Sequence, residues 1–362
     1  MSLSVAGIGT AVPEFEIEQA DAAEQASQLC YENAEQRRQV KMLYRRTGVK
    51  TRRSVVLESA TNGSPAQQTF YANSSQMTHG PTTADRMLAY ERHAGPLAVE
   101  AASRALTNAN VSPLDITHLV TVSCSGFSAP GFDMAILDKL GLSAAIARTH
   151  VGFMGCHGAL NGLRVAKAFA EMDSGACVML CAVELCSLHH QYGWQPDQIV
   201  ANALFADGAA ALVARKAAPT DSSWQLLDQV SAVVPGSREL MSWRVRDHGF
   251  QMTLSSELPR LIGHTLEPWL DSWLGRHGLS IAKIASWAIH PGGPRILSSC
   301  AEALGLAADQ MADSQAILAK YGNMSSPTIL FVLDRLQRRE APRPCVALAF
   351  GPGITIEAAL FV

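Results

Sequence analysis

Val151-Gly152-Phe153-Met154-Gly155-Cys156-His157-Gly158-Ala159-Leu160 sets a cysteine between glycines, and the amphipathic run Asn161-Gly162-Leu163-Arg164-Val165-Ala166-Lys167-Ala168-Phe169-Ala170 follows it. The pattern predicts a sharp turn into a helix, with Cys156 in the first turn. There the unpaired backbone N–H groups and the positive end of the helix dipole favour thiolate over thiol, and small neighbours leave room for a substrate. Cysteine is also among the most buried residue types, so inert packing is the competing reading.

The rest of the chain repeats the grammar of this stretch. The strand Ile116–Val122 ends in the turn Ser123-Cys124-Ser125-Gly126, and the strand Ile284–Ile289 ends in His290-Pro291-Gly292-Gly293-Pro294. A helix after each closes on Leu140-Gly141-Leu142 and on Leu304-Gly305-Leu306. Tyr321-Gly322-Asn323-Met324-Ser325-Ser326 then echoes the cysteine turn, and apolar strands at about 177–183 and 345–350 end the two units. Alternating strands and helices of this kind indicate a layered α/β architecture with two pseudo-twofold related halves, residues 1–220 and 221–362.

Superposing the halves sets Asn323 where Cys156 stands, at the start of the equivalent helix, and His290 where the Cys124-Ser125 turn stands. Cys156, His290 and Asn323 then share one centre. A neutral imidazole can take the thiol proton, the imidazolium can hold the thiolate, and a carboxamide can donate to a developing oxyanion. Singly, His290 could satisfy a turn and Asn323 could cap a helix; together, at paired turns of a duplicated unit, they point to nucleophilic chemistry.

Composition excludes several classes. The 362 residues carry 17% charged side chains and a net charge of −3, with no polybasic tail, which gives no footing for nucleic acid. Eight cysteines form no CxxC pair and no metal-like grouping with histidine, so free thiols in a reducing, cytoplasmic setting are expected. No apolar run reaches membrane-span length, and no signal peptide is expected. Residues 3–12 read as a strand, 17–43 as helix, 57–85 as a long loop and about 96–108 as helix. Arg37, Arg38, Lys41, Arg45, Arg46, Lys50, Arg52 and Arg53 form a basic run, either a solvated face or a docking surface for phosphates.

Four strings carry a resemblance: Ala203-Leu204-Phe205-Ala206-Asp207-Gly208-Ala209-Ala210, His290-Pro291-Gly292-Gly293-Pro294, Tyr321-Gly322-Asn323-Met324-Ser325-Ser326 and Ala349-Phe350-Gly351-Pro352-Gly353. With the cysteine turn, they resemble the bacterial type III polyketide synthases, the chalcone synthase-like branch of the thiolase superfamily. The resemblance extends from about residue 116 to the end. It implies a thiolase-like fold with a five-layered αβαβα core, and a homodimer that uses no prosthetic group or metal and works on coenzyme A thioesters. Cys156 would take an acyl starter, and His290 and Asn323 would bind malonyl-CoA, promote its decarboxylation and stabilise the enolate.

The resemblance also assigns a cavity. Phe205 matches one gatekeeper at its mouth and Met252 the other; Cys124, Cys186 and His189 stand at acyl-pocket positions, and Ala129 stands where a methionine reaches into the neighbouring subunit. Gly292 and Gly293 border the tunnel, Gly351, Pro352 and Gly353 lie in a substrate-side turn, and Arg46, Lys41, Arg38 and Arg295 fall near the coenzyme A phosphates. Trp243 replaces a glycine of the plant enzymes, and His157 replaces a phenylalanine. With Cys186 and Ala129, Trp243 suggests a fatty acyl starter and an alkylpyrone or alkylresorcinol product. The rivals are an initiating 3-ketoacyl synthase, disfavoured by the Pro291-Gly292-Gly293-Pro294 turn after the histidine, and an inactive binding protein on the same fold.

Overall fold

The computed structural model describes residues 2–58, 66–72, 79–217 and 223–362. The N-terminal half runs β1 (Leu3–Ala11), β2 (Glu16–Glu18), α1 (Gln19–Ala26), α2 (Ala34–Arg45), β3 (Thr51–Arg53), β4 (Leu57–Glu58), β5 (Gln67–Gln68) and α3 (Thr83–Ala109). It continues with β6 (His118–Ser123), α4 (Phe132–Leu140), β7 (Ala147–Gly152), α5 (Gly158–Met172), β8 (Cys177–Leu185), α6 (Pro196–Leu204) and β9 (Asp207–Lys216). The C-terminal half holds β10 (Trp224–Val233), β11 (Met241–Arg246), β12 (Gly249–Leu254), α7 (Leu258–Gly275), β13 (Ser286–Ile289) and α8 (Pro294–Leu304). α9 (Ala312–Tyr321), α10 (Thr328–Arg338), β14 (Cys345–Gly351) and β15 (Thr355–Phe361) complete it.

Nine strands share one mixed sheet in the order β13-β14-β15-β10-β1-β9-β8-β6-β7. Outward from the centre, β1, β9, β8 and β6 are matched by β10, β15, β14 and β13. In each series the first three pairings are antiparallel except the last, β8·β6 and β14·β13, which is parallel. The antiparallel pair β1·β10, with Leu3 opposite Leu226, is the seam between the halves. β7 is an additional edge strand on the N-terminal side.

Strand side chains alternate between faces, so each strand feeds two cores. Val178, Leu180 and Ala182 of β8, with Cys345, Ala347 and Ala349 of β14, pack on α5 and α10 in one central core. Met179, Cys181 and Val183 turn outward to α3 and α4, and Val346, Leu348 and Phe350 turn outward to α7 and α8. The layers therefore run helix, sheet, helix, sheet, helix, with α5 and α10 in the middle. The paired helices α4 and α8 both end on a left-handed glycine, Gly141 and Gly305.

Three expectations are corrected. Residues 17–43 are not one helix: β2 precedes α1, and the chain breaks before Asn33, whose side chain accepts the N–H groups of Glu35 and Gln36 and starts α2. The helix expected from Pro96 begins instead at Thr83, where Thr82 and Asp85 form a capping box, and Pro96 lies inside it. Of the expected loop at 57–85, residues 59–65 and 73–78 lie outside the described residues; the remainder includes the β4·β5 pair and the first turn of α3. Among the described residues, no helix is long and apolar enough to cross a membrane.

Candidate active site

Cys156 lies in a short 3-10 turn, Gly155–His157, that runs directly into α5. Gly155 has φ +73°, and a Cβ on it would sit 2.3 Å from Pro352 Cδ, so the turn can close only on glycine. Ser325 Oγ donates to Cys156 Sγ at 3.5 Å, and the nearby Asn323 amide also favours the thiolate. Burial nevertheless pushes the thiol up to about 11, and the neighbouring Glu184 carboxylate pushes the same way. The resting thiolate expected from the helix start is thus corrected: enclosure and a nearby negative charge outweigh the donors.

Asn323 is not at a helix start, because α10 begins only at Thr328 and is preceded by Pro327. Asn323 instead bridges to the other half. Its N–H donates to Leu204 O and its carbonyl accepts from Ala206 N–H, both at 2.9 Å, which fixes it beside Phe205. Its Oδ1 accepts the Ser325 N–H at 2.8 Å, and this leaves the amide NH2 to face the sulfur. Ser325 itself has φ +54°.

His290 is the first residue past β13, as Cys124 is the first past β6. It is 1% exposed, and neither ring nitrogen has a hydrogen-bond partner among the described residues. Burial lowers its imidazole to about 3, with a further contribution from His157. The ring is therefore neutral, with one N–H donor and one lone pair both unspent. Buried polar atoms are nearly always paired, so this one is poised for a ligand.

Glu184 is the residue the sequence did not disclose. Fully buried at the end of β8, it accepts the Cys124 and Ser125 N–H groups at 3.0 and 2.9 Å, and the Ser125 and Ser326 hydroxyls at 2.6 Å each. The Cys124 thiol donates to it at 3.1 Å. Burial raises its carboxyl and these donors oppose the rise. One carboxylate thus ties the turn after β6 to the segment before α10. The available signal was a lone acid inside the apolar run of β8.

Phe205, Trp243, Met252, Cys186 and His189 line one cavity, which also reaches Arg52, Tyr44, Leu29 and the α1 residues Ala22 and Ala26. Trp243 and Met252 face each other across the β11·β12 hairpin, and the Trp243 indole donates to Cys124 O at 2.6 Å. His189 Nε2 donates to Ser125 O at 2.6 Å, and its Nδ1 accepts the Phe250 N–H at 3.0 Å, so its tautomer is set. Burial lowers it to about 3. Arg52 donates to Asn202 O and Phe205 O, fixing the backbone of these two lining residues. Cys124 sits behind the indole, in contact with Glu184 and Ser325. Ala129 lies elsewhere, in a cavity with Phe127, Arg148 and His150.

Arg46, Arg295, Gly292 and Gly293 line a second cavity, together with Leu204. Lys41 and Arg38 do not line it: Lys41 is ion-paired to Glu24 on α1, and Arg38 is exposed on α2. Gly351 and Pro352 pack on the nucleophile turn, and the Gly353 N–H donates to Met241 O at 2.8 Å.

A duplicated, five-layered α/β fold that sets Ser325 and Asn323 of one half at the Cys156 turn of the other defines the thiolase-like class. The comparisons give the family. The model of the chalcone and stilbene synthase N-terminal domain matches residues 2–218 and that of the C-terminal domain matches 225–362, so the chain belongs to this family of type III polyketide synthases, which are acyltransferases. It is 34% identical to the alpha-pyrone synthesis polyketide synthase-like Pks18 of Mycobacterium tuberculosis, over 99% of this chain and 90% of the relative. It is 33% identical to 1,3,6,8-tetrahydroxynaphthalene synthase of Streptomyces peucetius subsp. caesius, over 98% and 91%. The crystal structure of PKS-I from the brown alga Ectocarpus siliculosus superposes with a TM-score of 0.93 at 29% identity, covering 99% of this chain and 98% of that one.

Proposed function

We propose that Cys156 is the acyl carrier and that His290 and Asn323 are the decarboxylation and enolate-binding pair. The observations that support this reading are a thiol in the turn that runs into α5 that accepts from Ser325, with the Asn323 amide near enough to favour its thiolate, and a buried His290 imidazole whose ring nitrogens have no partner among the described residues. The sulfur attacks the starter thioester carbonyl, its proton passes to His290, and coenzyme A leaves with that proton. Malonyl-CoA then loses CO2. The electrons of the broken C–C bond form an enolate, whose oxygen accepts from the Asn323 amide and the His290 N–H. The enolate carbon attacks the Cys156 thioester, the C–S bond breaks, and the chain returns to coenzyme A two carbons longer. No metal or prosthetic group enters these steps.

The starter is a fatty acyl-CoA and the product an alkylpyrone or alkylresorcinol. The mainly apolar cavity beyond Trp243 and Met252, with its reach to α1, supports this, as does the likeness to a relative named for alpha-pyrone synthesis. The enzyme works as a homodimer in the cytoplasm. The exposed edge strand β7, flanked by Phe127 and Phe153 at 56% and 43% exposure, supports the dimer, and eight unpaired cysteines support a reducing compartment.

The test is mass spectrometry with an acyl-CoA panel and labelled malonyl-CoA. Wild type should carry an acyl adduct on Cys156 and extend long starters. His290→Gln should retain some acylation and lose decarboxylation; unchanged turnover refutes the roles, and extension of only short or aromatic starters refutes the fatty acyl reading.

A further inference from the structure

His157 follows the nucleophile directly, and the reaction above makes no use of it. The ring is 2% exposed and belongs to a buried polar chain behind the cysteine turn. Its Nδ1 is 2.6 Å from Asn161 Oδ1, and Asn161 Nδ2 donates to Glu357 Oε1 at 3.0 Å. Glu357 also accepts from Ser231 Oγ at 2.8 Å and from Arg164 Nη2 at 2.5 Å. A carboxylate only accepts, so the Asn161 amide must turn its NH2 to Glu357 and its oxygen to His157. Nδ1 therefore carries the proton. Nε2, with its lone pair free, faces the Thr355 hydroxyl within hydrogen-bond reach.

Thr355 opens β15, immediately after the loop that contains Gly351, Pro352 and Gly353. This loop and the nucleophile turn interlock at two points. A Cβ on Gly351 would lie 2.3 Å from the His157 ring, and a Cβ on Gly155 would lie 2.3 Å from Pro352 Cδ. The hydrogen bonds of His157 run along the same join, from α5 through the ring to β15. The groups that face this ring are Asn161 and Arg164 on α5, Glu357 and Thr355 on β15, and His290 beyond β13.

We propose that His157 is a positioning residue: its two oriented hydrogen bonds, to Asn161 and to Thr355, lock the 351–353 loop onto the cysteine turn and so hold Cys156 in register with His290. The proposal rests on the roles given above to Cys156 and His290. A phenylalanine of similar bulk fills the space but severs both bonds, leaving Asn161 and Thr355 buried without their partner.

The experiment is steady-state kinetics of the full-length enzyme with a long-chain acyl-CoA and malonyl-CoA, with thermal unfolding followed in parallel. His157→Phe should lower kcat roughly 10- to 100-fold, the cost of displacing a reacting group by about an ångström, with KM for both thioesters unchanged. His157→Gln, whose carboxamide can both accept from Thr355 and donate to Asn161, should restore most of the rate. If His157→Phe does not fold, Thr355→Val, which removes the Nε2 bond and the long 3.4 Å contact to Pro352 O but keeps the ring's bond to Asn161, should show the same kcat loss. Wild-type kcat in the severing variants, or a Gln variant no better than Phe, overturns the proposal. Cys156→Ala and His290→Gln distinguish the two levels: turnover retained there overturns the proposed chemistry itself, whereas turnover lost there with silent His157 variants overturns only this inference.

Discussion

Glu184→Gln separates two effects that one buried carboxylate exerts on the site. Glutamine keeps the shape, and its oxygen can take the Oε2 position, where the Cys124 and Ser125 N–H groups and the Ser125 hydroxyl converge. The amide NH2 then faces Ser326 Oγ, which can rotate to accept. Charge-assisted bonds become neutral ones, at a cost of about 1–2 kcal/mol in folding stability. Glu184→Leu instead strands two backbone N–H groups, which at about 1–3 kcal/mol each predicts a loss of roughly 2–6 kcal/mol. Burial holds Cys156 up near 11 and the Glu184 charge adds to it, so removing that charge with Gln should bring the thiol below that value. Each unit of fall raises the thiolate fraction at pH 8 about tenfold. The assay is the rate of Cys156 alkylation by iodoacetamide across pH, read by mass spectrometry, beside urea unfolding of the same protein. A slightly less stable enzyme with a faster-alkylating cysteine is expected. An alkylation midpoint that stays put or rises would refute the electrostatic account.

Two further outcomes follow from the geometry. Arg46→Ala and Arg295→Ala should each raise KM for coenzyme A thioesters, by roughly 5- to 10-fold for a lost phosphate contact and less at high salt; Arg38→Ala and Lys41→Ala should stay within about twofold, and equal effects at all four would contradict the cavity assignment. His189, His190 and His290 are lowered by burial to about 3 from 6.5, so the unfolded chain binds protons that the folded one refuses. Stability is complete above pH 6.5 and falls toward pH 3, at about 1.4 kcal/mol per pH unit for each histidine. Tm against pH checks this, and a flat curve from pH 6.5 to 4 would oppose it.

The duplication was legible because its marks are backbone-determined. Gly141 and Gly305 are needed at left-handed helix ends, and Gly155 is needed where Pro352 presses on the turn. That repeat alone carried the expectation that Cys156, His290 and Asn323 share a centre. What lay hidden depends on contacts across the fold. Glu184 reads as one acid in an apolar strand until the two turns it binds are in place. Lys41 and Arg46 look alike in the basic run, yet one is engaged by Glu24 on α1 and the other faces the cavity. Pro96 obscured the true start of α3 because proline is favoured in a first turn. Asn323 was given a helix start because the echo of the cysteine turn hid the extra residues before α10.

The β11·β12 hairpin stands outside the nine-stranded sheet and pairs only with itself, yet it carries Trp243 and Met252 opposite each other. The groups assigned to bond making sit on the middle layer and its seams, where any change disturbs both halves. Two side chains of the cavity wall, Trp243 and Met252, sit on a ribbon of six-residue strands that no other strand pairs with. On the proposed reading, exchanging this ribbon between relatives changes the cavity wall, and the Trp243 bond to Cys124 O and the Gly353 bond to Met241 O are the joins such a graft has to keep.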